Sequence, residues 1–126
     1  MDISVRCWEE SSVSLDALCR QREIIYLHVL QPTLHDEGAK PITDLEAKRG
    51  VASEAWLEGV ALGYPRLRVA GKALQERGVA FLDASGVFRN VEETLYIDAC
   101  HFDARGNELL AQQIGEKLAE LVAASR

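Results

Sequence analysis

Apolar residues fall at helical spacing from the start of the chain, where Val5, Trp8, Leu15, Leu18 and Cys19 mark one face of a helix over residues 2–22 with Asp2 as its N-cap. The period then changes. EIIYLHVL, residues 23–30, is almost continuously apolar and rich in β-branched and aromatic residues, and Gln31-Pro32 closes it, so it reads as a buried parallel strand. TLHDEGAK, residues 33–40, is polar and contains glycine, as a loop does. Thr43-Asp44-Leu45-Glu46 has the form of a capping box and opens a second helix, expected to continue to about Leu62. Gly63-Tyr64-Pro65 interrupts it, with Pro65 in the first turn of a third helix that carries Leu67, Val69, Ala70, Ala73 and Leu74 and ends at Arg77-Gly78. VAFLD, residues 79–83, is a second apolar strand, and residues 84–96 are irregular. Asp103 then caps a last helix, whose stripe of Leu110, Ile114, Leu118 and Leu121 opposes Glu116, Lys117 and Glu120.

Strands separated by helices imply a parallel sheet in an α/β domain. Only two strands are convincing, and a parallel sheet that small leaves an edge and apolar helix faces without partners. Another chain is expected to cover them. The pattern therefore predicts a homodimer or larger homo-oligomer, with Val5, Trp8 and Leu15 as candidate contacts.

With 126 residues, 48% of them hydrophobic and 27% charged, the chain has the composition of one soluble globular domain spanning residues 1–126. A net charge of -6 with scattered lysines and arginines argues against nucleic acid and anionic membrane surfaces as partners. No run approaches the roughly 18 apolar residues of a membrane span, and the N-terminus lacks the pattern of a secretory signal, so a cytoplasmic location is expected. Cys7, Cys19 and Cys100 are odd in number and widely spaced, which fits reduced thiols.

The candidate chemistry lies near the C-terminus. Asp98 and His101 stand three apart on a turn before a helix, the layout of an acid-histidine pair in which a carboxylate orients an imidazole that takes a proton from a nucleophile. Asp-x-x-His alone is a weak signal. The alternative is that Asp98 and Asp103 are turn and cap residues and His101 a surface histidine. His28, inside the first strand, reads as a core histidine, and it and His35 have no ligand-type spacing, so neither a metal nor a cofactor is expected. Neighbouring residues rarely bring a thiol and an imidazole into hydrogen-bond geometry, so Cys100 reads as a buried thiol and not as a nucleophile for His101. The glycines form no phosphate-binding loop. Trp8 and Trp56 fall on helices and read as core or interface residues.

The block YIDACHFDARGNELLAQQI resembles the last conserved block of the SGNH/GDSL hydrolases, through Asp98, His101, Asp103, Gly106-Asn107 and Leu110-Ala111. IIYLHVLQPTLHDEGAKPITDLE, residues 24–46, is similar to a middle stretch of some bacterial members, and VAFLDASGVF, residues 79–88, to the strand and Asp-x-Ser turn before the final block. The resemblance covers most of the chain and corresponds to the C-terminal half of a family enzyme. It implies a truncated three-layer α/β/α domain of flavodoxin-like type, with Asp98 as orienting acid and His101 as general base.

The departures are as informative. The family's Gly-Asp-Ser or Gly-Asn-Ser nucleophile block, and the Gly and Asn of its oxyanion hole, have no counterpart here. None of serines 4, 11, 12, 14, 53, 85 and 125 follows Gly-Asp or Gly-Asn, and Ser85 corresponds to a turn residue. The expectation is an SGNH-like fragment without catalysis of its own. Two alternatives stand beside it: an ester hydrolase completed by a partner chain that supplies Ser, Gly and Asn, and a non-catalytic oligomeric binding module.

Overall fold

The computed structural model describes residues 3–125; the expected cap Asp2 lies outside them. The element order is α1 (Ile3–Gln21), β1 (His28–Leu30), α2 (Asp44–Arg49), α3 (Glu54–Glu76), β2 (Phe81–Asp83) and α4 (Ala104–Ala124). The domain is mixed α/β, with β1 and β2 paired in parallel and His28 opposite Phe81, Val29 opposite Leu82 and Leu30 opposite Asp83.

Both strands form where the apolar runs lie, but β1 is shorter than residues 23–30. The first residues of that run belong to the end of α1. Ile24 N–H donates to Cys19 O (2.9 Å) and Glu23 N–H to Arg20 O (3.2 Å), a Schellman closure that puts Glu23 at φ 57°. A glutamate in the left-handed region, where glycine is the usual occupant, disguised the cap in the sequence.

His28, Leu30 and Phe81 point to the side on which α1 and α3 pack. Gly71 of α3 approaches so closely that a Cβ there would sit 2.1 Å from the Phe81 ring. Trp8 of α1 stacks on His28 with ring centroids 4.2 Å apart, and Ser12 Oγ lies 2.6 Å from His28 Nδ1. His28 is thus a core histidine with a buried hydroxyl partner, and burial lowers its pKa. Leu30, Leu74, Val79 and Phe81 form this first core. At its rim Arg77 bridges Glu9 (3.1 Å) and Glu10 (2.9 Å), tying the end of α3 to α1. Val5 and Trp8 therefore turn toward the protein's own interior, and of the three expected contact residues only Leu15 is exposed.

Leu34, Phe88, Leu95 and Tyr96 form a second core, closed by the Phe88, Tyr96 and Phe102 rings in edge-to-face contacts of 5.2–5.8 Å. Leu109 of α4 packs on it, while Leu121 and Ser125 at the other end of α4 line a cavity with Ile25 and Ala80. The stripe of α4 is less covered than its spacing implies, since Leu118 is exposed and Gly106 is the helix's one buried residue. The cap is as expected: Asp103 accepts from Gly106 N–H at 2.9 Å. No helix among the described residues is long and apolar enough to cross a membrane.

The expected break at Gly63-Tyr64-Pro65 is corrected, because α3 runs through it and the interruption comes earlier, at residues 50–53. Gly50 is the C-cap at this point, and a Cβ on it would lie 2.2 Å from Leu34 Cδ2, so the chain passes Leu34 only without a side chain. Ser53 then caps a new helix by accepting from Trp56 N–H. Pro65 lacks an N–H and its turn is exposed, so water can satisfy the carbonyl left free. Tyr64, one residue before it, donates to Gln31 O (3.0 Å) and holds that turn to the end of β1.

The capping box is present, and its glutamate does more than cap. Glu46 Oε2 accepts from Thr43 N–H (2.9 Å) and from Lys40 Nζ (2.7 Å), while Oε1 accepts from Leu95 N–H (2.9 Å) and Tyr96 N–H (3.0 Å). Both side chains of the Lys40–Glu46 pair are wholly buried. Burial alone would raise the Glu46 pKa, but the Lys40 ammonium and the three backbone donors outweigh it and hold the carboxyl at about 2. A depressed carboxylate contributes stability above its ordinary value and loses it as pH falls to the folded value. Here that window runs from 4.5 down to about 2 and is worth about 3 kcal/mol. Glu46→Gln leaves a buried lysine without a counter-charge, so urea unfolding at pH 7 is expected to show a loss of about 3–5 kcal/mol. The variant should also lose the part of the wild-type acid sensitivity that falls in that window; an unchanged urea midpoint at pH 7 contradicts this account.

Candidate active site

The site is a loop built on backbone anchors. An antiparallel bridge between Tyr96 and Phe102 brings the ends of residues 97–101 together, with Ile97 N–H on His101 O at 2.9 Å and Asp103 N–H on Leu95 O at 2.8 Å. Glu46 grips the start of this loop through Leu95 and Tyr96. The segment leaving β1 holds its middle: Ala99 O accepts from Leu34 N–H (3.2 Å) and from Thr33 Oγ1 (3.1 Å). The loop is thereby fixed beyond the C-terminal end of β1, where open parallel sheets place their ligands.

Within the loop Asp98 folds its carboxylate back on the chain. Oδ1 accepts from Cys100 N–H (2.8 Å) and His101 N–H (2.7 Å), and Oδ2 lies 2.7 Å from His101 Nδ1. The two residues named from the sequence are therefore in direct contact in one turn. The backbone donors of Cys100 and His101, followed by the His101 ring, hold the Asp98 carboxyl well below the usual carboxylate range. An ionised Asp98 accepts the Nδ1 proton and leaves Nε2 as the basic nitrogen of the neutral ring. The His101 side chain is 72% exposed, and among the described residues Nε2 has no hydrogen-bond partner.

Cys100 departs from expectation in two respects: it is half-buried and not buried, and it touches the His101 ring. Its Sγ lies 3.5 Å from His101 Nδ1, so adjacency does bring thiol and ring together. The contact is with the nitrogen already engaged by Asp98, and burial and the Asp98 charge push the thiol pKa up, which disfavours a thiolate nucleophile. Single donor atoms of Asp98, Cys100 and His101 lie within 4.8 Å of one another, the described residues' one grouping able to hold a metal ion. His35 is elsewhere, with Nε2 2.6 Å from Gly50 O.

Beside the loop lies an open cavity of about 270 Å³, lined by Val51, Ala52, Ser53 and Trp56 with Asp98, Ala99 and Cys100. Trp56 and Val51 were not legible as site residues. The interruption at residues 50–53 turns them toward Asp98, and with a continuous helix expected there no local pattern pointed to it. Ser53 is the cavity's hydroxyl, and it is engaged as the cap of α3.

A second polar group occupies the ends of both strands. Arg68 pairs with Asp36 and lies 3.6 Å from Asp83. Its guanidinium sits 5.7 Å over the Tyr64 ring. Burial raises the Asp36 pKa against the pull of Arg68, and burial with the Asp36 charge pushes Tyr64 up to about 12. Ser85 is buried here, donating to Asp83 Oδ1 (2.6 Å), which makes it a turn residue and removes it as a nucleophile. Ser12 is spent on His28 in the first core.

Comparison with protein-family models, with curated proteins and with solved structures gives no match.

Asp98→Asn tests the electrostatics of the pair. An amide at this position can turn its NH2 toward Nδ1, which then becomes an acceptor and moves the ring proton to Nε2. In ¹⁵N spectra of the neutral ring, His101 is expected as the Nδ1–H tautomer in the wild type and as Nε2–H in the variant. The same tautomer in both would show that Asp98 does not orient the ring.

Proposed function

We propose that this chain is the acid-base part of an SGNH-like ester hydrolase, a truncated three-layer α/β/α domain that does not hydrolyse esters by itself. The observation that carries the reading is the 2.7 Å contact between Asp98 and His101 Nδ1 beyond the end of a parallel strand, with the opposite ring nitrogen open. This is how a carboxylate and an imidazole are arranged when the imidazole is to accept a hydroxyl proton and later return it to a leaving group. No hydroxyl or thiol of the described residues is hydrogen-bonded to Nε2. In this reading the attacking serine and the oxyanion donors come from outside these residues. The cavity beside Asp98, about 270 Å³ with Val51 and Trp56 on its wall, has room for a short acyl or alkoxy group.

The purified chain is expected to hydrolyse p-nitrophenyl acetate no faster than free imidazole at equal concentration. Addition of a polypeptide carrying a Gly-Asp-Ser block and the oxyanion residues is expected to raise the rate, and His101→Ala to abolish the gain. Turnover by the isolated chain that His101→Ala removes contradicts the lack of a nucleophile. A complemented rate indifferent to His101 contradicts the role of the pair.

Association is part of the same reading. Ile3, Leu15, Leu18, Leu62 and Val69 are all exposed on α1 and α3, and among the described residues the two-stranded ladder has no third strand on either edge. A second copy of the chain is proposed to cover part of this surface. Light scattering at micromolar concentration is expected to give at least twice 13.9 kDa; a clean monomer removes this part of the reading.

A further inference from the structure

Three donors of different chemistry converge within four residues of the loop: the carboxylate of Asp98, the thiol of Cys100 and the imidazole of His101. We propose that they form a binding site for a borderline-soft divalent ion, zinc(II) foremost, held by Asp98 Oδ2, Cys100 Sγ and His101 Nδ1 with a fourth position left to solvent or a ligand. The inference does not rest on ester hydrolysis, and its test reads no activity.

The distances support it. Zinc bonds of about 2.0–2.3 Å at tetrahedral angles put a sulfur and a nitrogen ligand about 3.6 Å apart and an oxygen and a nitrogen about 3.4 Å apart. Sγ and Nδ1 are already 3.5 Å apart. Oδ2 and Nδ1 are 2.7 Å apart because a proton joins them, and they need open by only about 0.7 Å once an ion replaces that proton. Asp98 Oδ1 can keep its bonds to the Cys100 and His101 amides, which fix the carboxylate while Oδ2 turns to the ion. The donor set is selective: a thiolate and an imidazole suit zinc and copper, whereas magnesium and calcium take oxygen donors.

The proton balance sets the pH dependence. Binding releases the Cys100 thiol proton, and the ring proton moves from Nδ1 to Nε2. Because a proton is released for each ion bound, binding strengthens as pH rises. The ion also takes the place of the Asp98–His101 hydrogen bond, so the metal-bound loop and the acid-base pair are two exclusive states of the same residues.

Cobalt(II) titration of the purified chain at pH 8 is the test, since a thiolate on tetrahedral cobalt gives a near-ultraviolet charge-transfer band together with visible d–d bands. One equivalent is expected to bind and to be displaced by zinc. Cys100→Ser should abolish the charge-transfer band, and His101→Ala and Asp98→Asn should each weaken binding by at least about tenfold, while a Cys7→Ser/Cys19→Ser double variant keeps both band and affinity. All the site substitutions lie on one partly exposed loop, and circular dichroism checks that each variant is folded. No saturable cobalt binding, a band that survives Cys100→Ser, or affinity unchanged by His101→Ala or Asp98→Asn overturns the proposal.

Discussion

The buried carboxylate of Glu46 is the constraint on which the arrangement of this protein turns. Its two oxygens collect a lysine ammonium and three backbone N–H groups from three separate stretches: residue 40, the start of α2, and the strand-like segment at residues 95–96. Each of these polar groups would be costly to bury alone, and each is satisfied by the same two atoms. The second core closes around this point, with Leu95 and Tyr96 presented to Phe88 and Phe102 because their amides are held. An ion pair of this kind is weak evidence for stability in general. Here its geometric role is clear: together with the Thr43–Thr94 hydroxyl contact of 2.9 Å, it joins the N-terminal end of α2 to the segment that leads into the loop carrying Asp98 and His101.

How far the sequence foreshadowed this depends on the range of the interaction involved. Local devices were legible: the Thr43–Glu46 box, the Asp103 cap, and both apolar runs that became strands. The Asp98–His101 contact was legible too, because both residues lie within one turn. What escaped was set by contacts distant in the chain. At Gly50, where α2 ends, Leu34 crosses so close that no side chain fits, and nothing near residue 50 announces that crossing. Pro65, the strongest local breaker, is overruled by the packing of the helix on either side of it. Glu23 hid a helix cap by taking a conformation its side chain does not favour. Residues 84–96 looked merely irregular, yet they bring Phe88, Leu95 and Tyr96 into an aromatic core that has no periodicity to detect.

The site shows a division between what is prepared and what is left open. Asp98 is ionised and pinned by two amides, and His101 is pinned by Asp98, so the Nδ1 side of the ring is fully specified. Its far side meets solvent. The same four-residue turn brings a thiol to the edge of the pair, and that thiol gives the loop a second chemistry that an aspartate and a histidine alone would lack.

The loop's tie to the protein body runs through main-chain atoms: the amides of residues 95 and 96 on Glu46, and the carbonyl of residue 99 on Thr33 and Leu34. Main-chain atoms are the same whatever side chain they carry. Substitutions at positions 100 and 101 can therefore trade one reactivity for another while the fold keeps its anchors, whereas position 98 is bound to both, since its carboxylate also holds the amides of residues 100 and 101.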